Sequence, residues 1–175
     1  NFADGSQINL ATTLSQHGIL NDTINLKLTN NDDIIWASTG GTYALREGNN
    51  QLVISHSGLS NTVSAGAGND RVLIMGDSTN KLNLGAGNNV IELNGNGNST
   101  ITTGVGNDVI HAGNGDNIIR AGDGDNTITL GAGTQNIVTG SGNDKIELGA
   151  GNIALNSGAG DDIVNILNLQ TLQQA

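Results

Sequence analysis

Aspartate and asparagine return at one fixed place along this chain, and every carboxylate at that place falls in one of two interleaved series. Asp70, Asn89, Asp108, Asn126, Asp144 and Asp162 follow one another at steps of eighteen or nineteen residues. Each stands two residues after a glycine: Gly68, Gly87, Gly106, Gly124, Gly142 and Gly160. The other series holds Asn61, Asn80, Ser99, Asn117, Gln135 and Ile153, has no acid, and loses that glycine at Leu59 and Ser78. Carboxylates can transfer protons or hold positive charge. Pairs such as Asp161-Asp162 invite an acid/base reading, but neighbouring residues of a strand or turn point apart, and their place in the repeat explains them better. Brought into a column, the first series would repel itself unless something neutralised it.

The elements that must position these residues are written in a nine-residue repeat running from about Gly66 to Asn165. Units begin at Gly66, Gly76, Gly85, Gly95, Gly104, Gly113, Gly122, Gly131, Gly140, Gly149 and Gly158. Read as x-G-x-G-x-(D/N)-x-U-x, the aliphatic place U is taken by Val72, Leu82, Ile91, Ile101, Ile110, Ile119, Ile128, Ile137, Ile146, Leu155 and Val164. A Gly/Asn/Asp stretch of six residues is a turn, and three residues around a mostly β-branched one are a very short strand. Nine residues cannot fold alone, so neighbours must stack. Two units make a coil of about 18 residues, and the predicted fold is all-β: a right-handed parallel β-roll, or β-solenoid, with two short-strand sheets and a line of turns along each edge. Successive units alternate between the edges. The Asp-bearing series therefore forms one edge and the other series the second. Steps of ten residues, from Val72 to Leu82 and from Ile91 to Ile101, are read as single-residue bulges near Ile74 and Leu93.

Composition fits a thin core. The chain has 175 residues, 35% of them hydrophobic, with 27 glycines and no proline or cysteine. The aromatic residues Phe2, Trp36 and Tyr43 all precede the regular repeats. Residues 1–60 are expected to be an N-terminal cap or degenerate coils, 61–166 the repeats, and 167–175 a cap or tail. Asn21-Asp22-Thr23-Ile24 and Asp32-Asp33-Ile34-Ile35 keep fragments of the repeat. A solenoid must shield its open ends. Trp36 and Tyr43 are the expected plugs at one end, and Ile166 to Leu172 the closing strand or short helix at the other.

The repeats resemble the repeats-in-toxin (RTX) nonapeptide, G-G-x-G-x-D-x-U-x, in a degenerate version. The resemblance rests on segments such as Ala65-Gly-Ala-Gly-Asn-Asp70-Arg-Val-Leu73, Thr103-Gly-Val-Gly-Asn-Asp108-Val-Ile-His111 and Thr139-Gly-Ser-Gly-Asn-Asp144-Lys-Ile-Glu147. It implies Ca²⁺ held between turns one coil apart, by aspartates and backbone carbonyls. Carried over, the side-chain ligands are Asp70, Asp108, Asp144 and Asp162, with Asn89 and Asn126 as neutral substitutes. A hard cation that takes six to eight oxygens suits such turns. The chain departs from the motif in two ways. Its first glycine is replaced, by Ala65, Leu84, Thr103 and Ala121 among others, and these are expected to face inward; half the units lack the aspartate.

The expectation is one loaded edge and one nearly ion-free edge held by stacked amides. The gap between Asp144 and Asp162 is the best charged, followed by Asn126 to Asp144 and Asp108 to Asn126, assisted by Asp123 and Asp125. On the second edge Asp116 with Asn117 is a candidate for one weak ion. Against this stands the ordinary use of Asn and Asp in turns for their tolerance of unusual backbone angles. The resemblance further implies a secreted Gram-negative protein exported by type I secretion machinery, folding outside the cell where calcium is near millimolar. The lack of an initial Met reads as a fragment of a larger parent protein, a toxin, hydrolase or adhesin.

Net charge is −10, from thirteen Asp and three Glu against six basic residues. Without a basic stripe, nucleic acid is not an expected partner. No apolar run approaches the roughly 20 residues of a membrane span, and no signal peptide is visible. No G-x-S-x-G elbow, Walker loop or H-E-x-x-H motif occurs, the three histidines lie far apart, and the G-x-G pairs recur without a following helix, so no enzyme is expected. The alternatives are a calcium-independent structural solenoid and an adhesive or ligand-binding module. Ice binding would want a flat ladder of Thr and Asn, and sugar binding an aromatic surface; the repeats offer neither.

Overall fold

The computed structural model describes residues 30–167 and the backbone of two short strands before them, β1 (Ile8–Asn9) and β2 (Ile24–Lys27). Phe2, His17 and the Asn21 to Thr23 fragment lie outside the described residues, as do 168–172 of the expected closing element. Among the described residues the structure is all-β. The U residues alternate with polar ones, and glycine-rich turns stop each strand after four to six residues, so each nine-residue unit yields one strand.

Odd and even strands separate into two sheets. The first runs β1, β3 (Ile34–Ala37), β5 (Gln51–Ser55), β7 (Arg71–Met75), β9 (Val90–Leu93), β11 (Val109–Ala112), β13 (Thr127–Leu130), β15 (Lys145–Leu148) and β17 (Ile163–Ile166). The second runs β2, β4 (Gly41–Arg46), β6 (Asn61–Ala65), β8 (Asn80–Asn83), β10 (Ser99–Thr102), β12 (Asn117–Gly122), β14 (Gln135–Thr139) and β16 (Ile153–Asn156). Every pair is parallel, and each U residue sits beside the U residue one coil away, as Ile91 beside Ile110 and Ile110 beside Ile128. Chain order advances along both sheets together, which is a β-solenoid.

The core is the strip between the sheets. Val72, Leu82, Ile91, Ile101, Ile110, Ile119, Ile128, Ile137 and Ile146 are fully buried there. Residues standing where the nonapeptide has its first glycine widen it: Leu84, Thr103 and Ala121 are buried, as expected from sequence. Two expectations fail. Trp36 is not an end plug, because Ile35 and Ala37 take the inward places of β3 and leave Trp36 outward and half exposed; Tyr43 is wholly buried and donates its hydroxyl to the Thr39 carbonyl at 2.7 Å. Nor is the chain bulged at Ile74 or Leu93. The extra residue recurs in both coils, so Ile74 and Leu93 pair in register and both face the core. The register shifts lie instead between Ala44 and Arg46 and between Arg120 and Gly122. At the C-terminal end Val164 and Ile166 occupy positions buried in earlier coils, yet are 39% exposed because no described strand covers β17.

Candidate functional site

The turns that carry the Asp-bearing series require glycine twice over. Gly68, Gly87, Gly106, Gly124, Gly142 and Gly160 all have φ between 123° and 144°, a region that L side chains avoid. Each also faces the coil before it. A Cβ on Gly87 would strike the carbonyl oxygen of Gly68, one on Gly106 that of Gly87, and one on Gly124 that of Gly106. The edge is thus lined by a column of glycine carbonyls at close spacing.

Beside that column the series itself points inward. Asp70, Asn89, Asp108, Asn126 and Asp144 are each at most 1% exposed. Their Oδ1 atoms form a ladder, each accepting the backbone N–H of its counterpart one coil earlier: Asp70 to Asn89 at 3.1 Å, Asn89 to Asp108 at 2.8 Å, Asp108 to Asn126 at 3.1 Å, Asn126 to Asp144 at 2.9 Å and Asp144 to Asp162 at 3.0 Å. The column continues backward through Asn50, whose N–H donates to Asp70 at 2.9 Å, to Asp33, whose N–H donates to Asn50 Oδ1 at 3.1 Å. The sequence reading passed over Asn50; Gly48, two residues ahead of it, is the signal that marks it. A second, exposed ladder runs the other way through Asn69, Asn88, Asn107, Asp125 and Asn143, whose side chains accept from the following coil.

The second side-chain atom divides the column. In Asn89, Nδ2 donates to the Gly87 carbonyl at 3.0 Å and to that of Gly85 at 3.4 Å; in Asn126 it donates to Gly124 at 2.9 Å and Gly122 at 3.4 Å. Oδ2 of Asp70, of Asp108 and of Asp144 is buried with no hydrogen-bond partner. A dry carboxylate oxygen without a partner is costly in its charged form. Burial accordingly pushes the Asp70 carboxyl up, more than the Asn50 backbone and side chain lower it, with Glu47 and Asp32 raising it further. Burial also raises Asp108, against lowering influences of Thr103 and Asn89. These orphaned atoms are the observation that fits a cation: a positive ion would satisfy them together with turn carbonyls, and the donor set is all oxygen, as a hard cation prefers.

The remaining sequence candidates sit elsewhere in the turns. Asp162 belongs to the ladder but is only half buried. Asp123 and Asp125 are exposed on the outer side and accept from the next coil, Asp123 from Ser141 N–H at 2.7 Å and Asp125 from Asn143 N–H at 2.7 Å. Hydrogen bonds from Ser141 hold the Asp123 carboxyl below its ordinary value. Asp116 likewise accepts from Thr134. On the second edge amides meet amides and carbonyls: Asn61 donates to Asn80 at 2.9 Å, Asn80 to Ser78 at 2.9 Å, Asn117 to Gly115 at 3.1 Å and Gln135 to Gly115 at 3.0 Å. Among the described residues no three of His, Asp and Glu gather into one cluster, and amide coils stand between Asp70, Asp108 and Asp144. His111 is exposed beside an open depression lined by Leu93, Asn94, Asn96, Asn114 and Thr129, which brings no second titratable group.

The family model of the RTX calcium-binding nonapeptide repeat (4 copies) matches residues 57–73, 93–128 and 129–164, more than half of the chain. The chain belongs to that RTX repeat family. Searches of curated proteins and of solved structures found no match. RTX nonapeptide repeats bind calcium, so Ca²⁺ is the cofactor of this module, and the β-solenoid is the fold consistent with an RTX β-roll. Repeats of this RTX family are typically non-catalytic. Among the described residues no helix is long and apolar enough to cross a membrane.

Proposed function

We propose that this chain is a non-catalytic calcium-binding β-roll module of a larger secreted bacterial protein, folding as it takes up Ca²⁺ outside the cell. Its ions lie along the Asp-bearing edge, with Asp70, Asp108, Asp144 and Asp162 supplying carboxylate oxygens and the glycine-rich turns supplying carbonyls. The second edge carries no ion and is held by amides. The single observation behind this reading is the row of buried, unpartnered Oδ2 atoms of Asp70, Asp108 and Asp144; the unpartnered buried oxygens of the second edge, Ser78 Oγ and Gln135 Oε1, carry no charge. Bound, Ca²⁺ supplies positive charge against which these carboxylates can stay ionised in a dry turn. Export by a type I system, a Gram-negative source and a toxin, hydrolase or adhesin as parent follow the family's usual setting.

A calcium-independent structural solenoid is the second reading, favoured by the amide hydrogen bonds along the second edge and by the unbroken aliphatic core. Far-ultraviolet circular dichroism of the chelator-stripped chain, titrated with Ca²⁺ and with Mg²⁺ as control, separates them. A disordered spectrum that becomes β only with Ca²⁺ supports the first reading. A full β spectrum in chelator, unchanged by Ca²⁺, supports the second.

A further inference from the structure

The calcium reading leaves open which turns take the ion, and the structure divides them into two kinds. In the Asn89 and Asn126 turns the amide already does what a cation would do. Its Oδ1 accepts in the ladder and its Nδ2 turns positive hydrogens onto the carbonyls of both turn glycines. The two ends of each amide have partners of opposite kind, so its orientation is fixed. In the Asp70, Asp108 and Asp144 turns, Oδ1 plays the same part in the ladder. Oδ2 then stands in the place of Nδ2, and no described hydrogen bond reaches the carbonyls of Gly68, Gly106 and Gly142.

The backbone marks the same division independently. The first glycine has a positive φ in the asparagine turns, 72° at Gly85 and 77° at Gly122, whereas Gly66, Gly104 and Gly140 of the aspartate turns do not. Two of the aspartate turns also open with a threonine whose hydroxyl is spent on the next coil, Thr103 on the Ala121 carbonyl and Thr139 on that of Ser157, both at 2.7 Å. Oδ2 of Asp108 and of Asp144 is left without a hydrogen bond beside them, although the nearby Thr103 hydroxyl still lowers the Asp108 carboxyl. The Asp162 turn has the asparagine-type backbone, with Gly158 at 78°, and its side chain is only half buried in the last described coil.

We propose that calcium enters only the Asp70, Asp108 and Asp144 turns, while the Asn89 and Asn126 turns are closed by their own amides and exclude it. Ion-closed and amide-closed coils then alternate, and ions stand two coils apart, roughly 10 Å at the usual strand spacing. This rests on the calcium reading above and changes its count: asparagine is a substitute for the ion, not for its ligand.

The test is the number of Ca²⁺ bound per chain, by equilibrium dialysis of the full chain at saturating calcium. Asp70→Asn, Asp108→Asn and Asp144→Asn should each remove one ion from a roll that stays folded. Asn126→Ala should remove none, and Asn126→Asp should add one, which keeps the question answerable if the alanine variant does not fold. Loss of an ion in Asn126→Ala, or an unchanged count in Asn126→Asp, would overturn the alternation. A parent chain that binds no calcium at all would overturn the reading beneath it instead.

Discussion

The backbone N–H of Asn126 donates to Oδ1 of Asp144 at 2.9 Å, although the two residues hold equivalent places in successive turns and differ only in one side-chain atom. That atom decides how each turn is closed, and most of what can be tested here turns on exchanging it.

Replacing Asp108 by asparagine in the absence of calcium should stabilise the roll. The new Nδ2 gains the free Gly106 carbonyl as acceptor, and the buried charge is removed, for a gain of about 1–3 kcal/mol. Asp108→Ala should do the reverse, since it leaves the Asn89 N–H without its acceptor. Thermal melts in chelator give the order Asn above Asp above Ala; a melt in which Asn lies lowest would show that the carbonyls do not accept the amide.

Calcium affinity should respond to one edge alone. Asp144→Ala should weaken binding markedly, whereas Gln135→Ala, whose amide bonds only to the Gly115 and Gly131 carbonyls, should leave affinity alone and cost about 1 kcal/mol of stability. Calorimetric titration of both variants checks this, and equal losses of affinity would contradict the one-edge arrangement.

Protons should partly replace the missing ion. The folded-state pKa of Asp70 and Asp108 lies above the ordinary 3.8, so the stability linked to them is present at low pH and lost as pH rises through the raised values. The calcium-free roll should therefore melt higher at a pH a little above 3.8 than at pH 7, and calcium should bind less tightly there. The double variant Asp70→Asn, Asp108→Asn should lose this slope; an identical slope in both chains would place its origin in other groups.

Glycine substitutions should separate close packing from backbone strain. Gly106→Ala must both hold φ at 139° and push aside the Gly87 carbonyl, and urea unfolding should show a loss of several kcal/mol. Gly58→Ala keeps a positive φ of 79° but meets nothing within 4 Å, and should lose only about 1 kcal/mol.

Much of this was legible in the chain. Two periods run through it, glycine and aliphatic, and they fix turns and strands so closely that Ile110 lies beside Ile91 and Ile128 as the spacing requires. The inward turn of Leu84 and Ala121 follows from the same period. Trp36 misled because size suggests a plug, while the alternation of β3 decides which way a residue points. The ten-residue steps misled because a bulge is a mismatch between neighbouring strands, and here both neighbours carry the same extra residue. The contrast between Asn89 and Asp108 could not be read from sequence. It depends on where the carbonyls of Gly87 and Gly106 point, and spacing carries no such information.

The two-coil alternation also constrains how such a protein can lengthen. Duplicating a single aspartate coil would set two aspartate turns side by side inside the roll, charge against charge in a dry column, and duplicating a single asparagine coil would set two amide turns together. Duplicating a pair of coils preserves the phase. Asp144 and Asp162 are the adjacent acids of the column among the described residues, and Asp162 lies in the last described coil. Growth by even numbers of coils is the history that keeps the two kinds of turn in alternation.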